Sequence, residues 1–370
     1  MRYFLIAGEK SGDLHAGHLA EEIYKKDPSA ITQGWGGSVM AKAGVELLQS
    51  YDELAFMGLD FVFHFRTVIR LFRKCKREIE DFAPDVLILI DYSGFNLRIA
   101  KWAKKEGYKV VYYIAPKTWA WNASRNKSIK KYIDKLLVIL PFEETYFKEK
   151  GIETSYVGNP LKEYVSAFEP LFNFKESLPS ESGRVVALLP GSRKKEIIRS
   201  TEELRKLARH FPEIVFVVAT ISDVDQHLYD GFQSIPNCII LTDQTYDLLS
   251  VADAAIVTSG TATLETALFN IPQVVVYKTN ALTYFIGSRL VKLKYISLVN
   301  LIVDKEAIPE LIQDEFNTAA LKKHLKSLLF DTKKRENQLA YYKELKQALG
   351  SFKSSEMAAD SIINTFKLEK

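Results

Sequence analysis

The sequence predicts a doubly wound α/β fold of two Rossmann-like units, and three observations carry that prediction. Strand-length apolar runs alternate with helical stretches, as a parallel sheet buried on both faces requires. The alternation pauses once, near the middle of the chain, and then restarts. Small-residue loops follow several of the strands, where ligands bind in open α/β sheets.

Of 370 residues, 47% are hydrophobic and 26% charged, the profile of a globular chain too long for one ordinary core. In the first unit, Arg2–Ala7 reads as a strand and residues 14–25 as a helix. Residues 86–90, 109–114 and 135–139 are further strands, with a helix over 97–105. The pause covers Val157-Gly158-Asn159-Pro160 and the loose stretch 168–183. Strands then return at 184–189, 214–219, 238–241, 254–257 and 273–276, with a helix over 194–210. The tail from about residue 333 is helical and breaks at Gly350-Ser351, so a last helix can pack back onto the first unit. The expected domains are 1–165 together with about 351–370, and 166–350. Two such units place the carboxyl ends of both sheets at one crevice, the position of a ligand cleft.

Composition narrows the function classes. Cys75 and Cys238 form no disulfide framework, which suits a reducing cytoplasm. The N-terminus reads as a first strand and not a signal peptide, and no run approaches a membrane span. A net charge of +4 gives no support to a nucleic-acid role. The charge is uneven, however. Arg66, Arg70, Arg73, Lys74, Lys76 and Arg77 fall in twelve residues without an acid. At helical spacing, Phe61, Phe65, Val68, Ile69 and Phe72 share one face and the arginines a neighbouring one. That pattern is either a core helix with a solvated basic side or a helix resting on anionic headgroups.

Two loops of the second unit have phosphate-binding character. Gly191, Ser192 and Arg193 stand between a strand and a helix. There glycine lets the backbone approach an anion, free N–H groups face it, and arginine offers a forked donor. Ser259, Gly260 and Thr261 repeat the arrangement, and Glu265 falls one turn later, where a carboxylate can accept from ribose hydroxyls. Neither loop matches the nucleoside-triphosphatase or dinucleotide fingerprints. In the first unit, Gly8 to Asp13 reads as a substrate loop or as a tight turn with Asp13 as a helix cap. Asp91 sits at a strand end, as a catalytic carboxylate or as an Asx-turn residue. Trp119 and Trp121 lie in a third post-strand loop, flanking a sugar or acyl chain or packing at a domain edge. His15 and His18 lack a third ligand for zinc, Asp223 and Asp225 read as a helix start, and no nucleophile elbow is present, so no metal and no cofactor is expected.

These loops, in this order, resemble the lipid-A-disaccharide synthase family of inverting GT-B glycosyltransferases. The resembling segments are 7–13, 54–58, 84–86 with 91–96, 116–121, 140–143, 188–193, 259–265 and 295–301. The resemblance implies a GT-B fold and transfer from UDP-2,3-diacylglucosamine to 2,3-diacylglucosamine 1-phosphate (lipid X), giving a β-1,6-linked disaccharide 1-phosphate and UDP. It implies peripheral contact with the inner membrane of a Gram-negative bacterium from the cytoplasmic side, and it allows a homodimer. The resemblance places a proposed base at the position that is Gly94 here, so Asp91, Asp13 and Glu9 become the candidate bases, with Asp91 preferred. Gly191, Ser192, Arg193, Ser259, Gly260, Thr261, Glu265 and Asn300 go to the UDP donor. Ser11, Gly12, Asn96, Met57, Phe61, Phe65, Arg66, Arg70, Arg73, Trp119 and Trp121 go to the acceptor and lipid. Three positions depart from the family pattern. Gly94 stands where a second carboxylate is common, Asn159 where histidine is, and Lys117 where serine is. The alternatives are another GT-B enzyme, such as an epimerase or lipid-linked sugar transferase, and a non-catalytic lipid- or nucleotide-binding relative.

Overall fold

The structure, a computed structural model, describes residues 1–55, 65–178, 183–290 and 293–367. The chain divides into two compact units, Met1–Pro160 with Ser351–Lys370, and Leu161–Gly350. The division falls a few residues before the expected one because the Pro160–Ala167 helix is anchored in the second unit. Lys162 Nζ on that helix donates to Lys346 O at 3.0 Å and also to Gly350 O.

Among the described residues the first unit holds seven strands, β1 (Arg2–Ala7), β2 (Ile31–Gly36), β3 (Glu46–Ser50), β4 (Val86–Ile90), β5 (Lys109–Tyr113), β6 (Lys135–Val138) and β7 (Thr154–Tyr156). The second holds β8 (Val185–Leu189), β9 (Val215–Thr220), β10 (Cys238–Thr242), β11 (Ala254–Thr258), β12 (Gln273–Tyr277) and β13 (Glu310–Ile312). Their orders, β3-β2-β1-β4-β5-β6-β7 and β10-β9-β8-β11-β12-β13, reverse direction between β1 and β4 and between β8 and β11. All pairings are parallel.

Burial on both faces explains the continuous apolar runs. On β1, Phe4 and Ile6 point into a layer with Leu71, Cys75, Ile79 and Phe95. Tyr3, Leu5 and Ala7 point the other way, against Leu19, Ile23, Ala358, Ile362 and Phe366. The last two groups come from the Lys10–Lys26 helix and from the Ser354–Lys367 helix, which returns to the first unit. Lys26 Nζ pairs with Asp360 Oδ1 across those helices at 2.8 Å. The second sheet is covered in the same way on its two faces.

Ile362 is fully buried in this layer. Ile362→Ala is expected to destabilise the first unit by about 2–4 kcal/mol through lost transfer energy and a residual cavity, read as a lower urea midpoint for that unit.

Candidate functional site

Adjacent parallel strands that end in register bring their following loops together. In the first unit Ala7 pairs with Ile90, and Ile90 with Tyr113, so the segments after β1, β4 and β5 emerge side by side. The segment after β1 is less of a loop than its sequence suggests, since helix begins at Lys10 and includes Ser11, Gly12 and Asp13. Ser11 is exposed there, and Gly12 is buried with its Cβ position 3.5 Å from Ala7.

After β4 the backbone turns sharply. Asp91 and Tyr92 are both left-handed, each with φ of 45°, a conformation costing about 1–2 kcal/mol per residue outside glycine. The surroundings hold it there. Asp91 N donates to Tyr113 O at 3.0 Å. Asn96 Nδ2 donates to Asp91 O at 2.9 Å, and the Tyr112 hydroxyl donates to the same carbonyl. The Tyr92 ring lies over Gly8, where a Cβ would come within 2.2 Å of it. The strained turn leaves the Asp91 side chain half-buried. Burial pushes its carboxyl above the ordinary value, opposed by the Lys117 charge and by the Tyr92 backbone N–H. Glu9 is exposed, and burial followed by the Glu9 charge pushes the Tyr92 phenol to about 12.

The two tryptophans after β5 have different surroundings. Trp119 is half-buried, donates Nε1–H to Glu143 Oε1 at 2.8 Å and packs edge-on against Phe142. Trp121 is 55% exposed, with the Arg125 guanidinium 4.8 Å from its ring centre. Arg125 also donates to Ser93 Oγ at 2.6 Å, tying this loop to the one after β4. Glu143 is buried and also accepts from the backbone of Ile139 and Leu140 at 3.3 and 3.1 Å. The sequence reading gave Glu143 no role; only its spacing after Pro141, as a helix-start acid, could have flagged it.

In the second unit β8 and β11 are neighbours, with Leu189 paired to Val257. The Gly191–Arg193 and Ser259–Thr261 segments therefore lie together, and the Cβ position of Gly191 is 3.5 Å from Thr258. Gly191 has φ of +117°, and an added Cβ there would stand 2.8 Å from Glu196. Glu196 folds back so that its carboxylate accepts from Ser192 N at 3.3 Å and Arg193 Nη1 at 3.1 Å. Ser192 and Arg193 are exposed, as are Gly260 and Thr261 at the mouth of the second loop. Ser259 Oγ donates to Ile296 O at 3.0 Å, joining the second loop to the 296–300 segment. Glu265 is half-buried, and burial pushes its carboxyl up.

Several expected residues are engaged elsewhere. Asp13 is buried, and its oxygens accept from Gly37 N, Val39 N and Met40 N at 2.7, 3.1 and 3.2 Å. It holds the chain after β2. Asn96 is fully buried, and its Nδ2 bridges Ile90 O and Asp91 O, so it shapes the turn. Asn300 is also fully buried. Its Nδ2 donates to Ile308 O and Glu310 Oε1, both at 2.9 Å, and its Oδ1 accepts from Ala307 N and Ile308 N. Its amide thus holds the loop from inside. Glu310, unmarked in the sequence, completes that loop by accepting from Ile296 N and Ser297 N at 2.9 Å.

The Phe65–Phe82 helix shows the features of the first of its two readings. Val68 is buried, and Phe72 stacks on Phe95 at 4.4 Å, so these two side chains pack on the core. Arg66, Arg70, Arg73 and Arg77 are exposed and line a groove of about 840 Å³ with Ile69, Glu78 and Asp81. Met57, Phe61 and the Phe65 side chain lie outside the described residues. No described helix is long and apolar enough to cross a membrane.

Comparison with known proteins agrees with this arrangement. A model of the family described as lipid-A-disaccharide synthetase matches residues 3–363. A lipid-A-disaccharide synthase of Geobacter metallireducens is 36% identical over 98% of this chain and 96% of its own length. One of Nitrosococcus oceani is 37% identical over 94% and 92%. The fold is similar to a glycotransferase of kitacinnamycin, with a TM-score of 0.69, 14% identity and 99% of both chains covered. It is similar too to a UDP-GlcNAc 2-epimerase from Neisseria meningitidis bound to UDP-GlcNAc, with a TM-score of 0.68, 11% identity and both chains covered in full. The chain belongs to the lipid-A-disaccharide synthase family.

Burial of Glu143 outweighs its three N–H donors and pushes its carboxyl up from 4.5 to about 7. The folded state then holds this proton more tightly than the unfolded chain, so stability is lost as pH rises from about 4.5 through about 7. Urea unfolding at pH 5 and pH 8 is expected to show a larger loss for the native protein than for Glu143→Gln, which does not titrate.

Proposed function

We propose that this member of the lipid-A-disaccharide synthase family transfers the sugar of UDP-2,3-diacylglucosamine to the 6-hydroxyl of 2,3-diacylglucosamine 1-phosphate. The observation that carries the reading is the match over residues 3–363 together with two exposed, N–H-rich loops on neighbouring strands of one sheet. In this reading the second unit holds the donor and the first supplies the acceptor's base.

The step forms a bond from the acceptor oxygen to the anomeric carbon and breaks the bond from that carbon to the UDP phosphate oxygen. The hydroxyl proton goes to a base and the bonding pair leaves on UDP. Asp91 is the proposed base. Of the three candidates, Asp13 is committed to backbone donors and Glu9 is exposed. Asp91 stands on a strained turn at a strand end, with the Lys117 charge favouring its ionised form. A base held in place contributes roughly 10²–10⁴-fold.

Negative charge grows on the leaving diphosphate. Arg193 and the backbone N–H groups of Ser192, Gly260 and Thr261 are the groups proposed to meet it. Arg193 is exposed, and among the described residues its ion pair is with Glu196 on the helix it precedes, so it is available to turn onto a phosphate. Glu265 is proposed to accept from the ribose hydroxyls. Trp121 and Ser11, both exposed, are proposed contacts for the acceptor. The face of Arg66, Arg70 and Arg73 is proposed to rest on anionic headgroups, which suits substrates that carry acyl chains.

Purified protein given both diacylated precursors is expected to release UDP and form the disaccharide 1-phosphate; UDP binding without turnover would overturn the reading. Arg193→Ala is expected to lower kcat/KM by about 10²–10³-fold with the melting temperature unchanged. Asp91→Asn is expected to lower kcat by about 10²-fold or more while donor affinity stays within about threefold. Asp13→Asn, in contrast, is expected to lower the melting temperature, since it disturbs three backbone hydrogen bonds of the fold.

A further inference from the structure

The Glu265 carboxylate is not alone in its pocket. Tyr246, on the Thr245–Val251 helix, donates its phenolic hydrogen to Glu265 Oε1 at 2.7 Å. The Tyr246 ring is itself fixed by two edge-on partners, Phe168 at 5.3 Å and Phe269 at 5.1 Å between ring centres. The helix carrying it is pinned as well, because Asp247 Oδ1 accepts from Leu171 N at 2.8 Å. Phe168 and Leu171 belong to one short segment, so that segment sets both the ring and the helix beneath it.

A carboxylate has about four acceptor positions, and an unheld glutamate can present them in many orientations. Here one position on Oε1 is occupied by a hydroxyl whose own place is set by packing. The rotation of the carboxylate plane is therefore chosen before any ligand arrives, and among the described residues no further donor occupies Oε1 or Oε2. A rigid, pre-oriented acceptor discriminates between ligands that carry the matching hydroxyl and those that lack it. The charged form of Glu265 is the better acceptor; burial opposes it, and the Tyr246 hydroxyl favours it.

We propose that Tyr246 is a positioning residue that orients Glu265 for the ribose hydroxyls of the donor nucleotide, and so sets the preference for ribose over 2′-deoxyribose. The inference rests on the reading that Glu265 meets the ribose. Tyr246 touches no reacting atom; it acts through Glu265 alone.

The test is calorimetric binding of UDP and 2′-deoxy-UDP to the native protein, Tyr246→Phe, Glu265→Gln and the double variant. The native protein is expected to prefer UDP by about tenfold, the scale of one hydrogen bond to a charged group. Glu265→Gln is expected to abolish that preference. Tyr246→Phe keeps the packed ring and removes only the hydroxyl. It is expected to weaken UDP by about three- to tenfold, to leave 2′-deoxy-UDP nearly unchanged, and to add nothing in the Glu265→Gln background. Retention of the full preference in Tyr246→Phe while Glu265→Gln loses it would overturn the inference and leave the ribose reading intact. Retention in Glu265→Gln would overturn the ribose reading and the inference with it. An equal fall for both ligands in Tyr246→Phe would assign the tyrosine to the fold alone and overturn the inference.

Discussion

Parallel pairing is the constraint on which the rest of this structure depends. When every strand of a sheet runs the same way, all the connections into the following helices leave from one edge. Ala7, Ile90 and Tyr113 are in register in the first sheet, and Leu189 and Val257 in the second. Residues distant in sequence, such as Gly8 and Tyr92 or Gly191 and Thr258, therefore come into contact. The helices that follow direct their first N–H groups to the same edge, which makes it favourable for anions. The chemistry proposed for this chain needs both properties, a cradle for diphosphate and a carboxylate on a fixed backbone.

The polar residues at these edges divide into those that hold the loops and those the loops display. Asp13, Asn96, Asn300 and Glu310 are tied up by backbone groups of neighbouring segments. A buried polar group must be paired to be tolerated, so the Asp13 and Asn300 side chains are spent on architecture, and Glu310 and the Asn96 amide nitrogen brace the same loops. Ser192, Arg193 and Trp121 remain exposed, and Asp91 stands half-buried between the two classes. Its two consecutive left-handed residues are held by Asn96, Tyr112 and Tyr113 from behind. Support residues and displayed residues thus form one unit, and a change in either class should be felt by the other.

Much of this was legible in the sequence. The central strands could be placed within a residue or two because burial on both faces leaves an unbroken apolar run, as in Val86–Ile90 and Ala254–Thr258. Strands β2, β3, β7 and β13 were not. They are short or interrupted by polar residues and glycine, and three of them lie at sheet edges, where one side of the ladder is unpaired. The Phe65–Phe82 helix stays open between two readings in the sequence for a related reason. A stripe of Phe and Val looks the same whether it meets lipid or a core, and only the packing of Phe72 on Phe95 decides which.

By itself the sequence determined the fold class, the two-unit plan and the family, because apolar periodicity and short motifs are local and additive along the chain. It also marked Gly191, Ser192, Arg193 and Asp91, whose residue types carry their chemistry wherever they stand. Tertiary structure alone decided that Asp13, Asn96 and Asn300 look inward and that Glu143, Tyr246 and Glu310 matter. A hydrogen bond between Tyr246 and Glu265, or between Glu143 and Trp119, depends on where separate segments meet. That meeting is set by strand order and side-chain packing over the whole unit, and no single stretch of residues contains it.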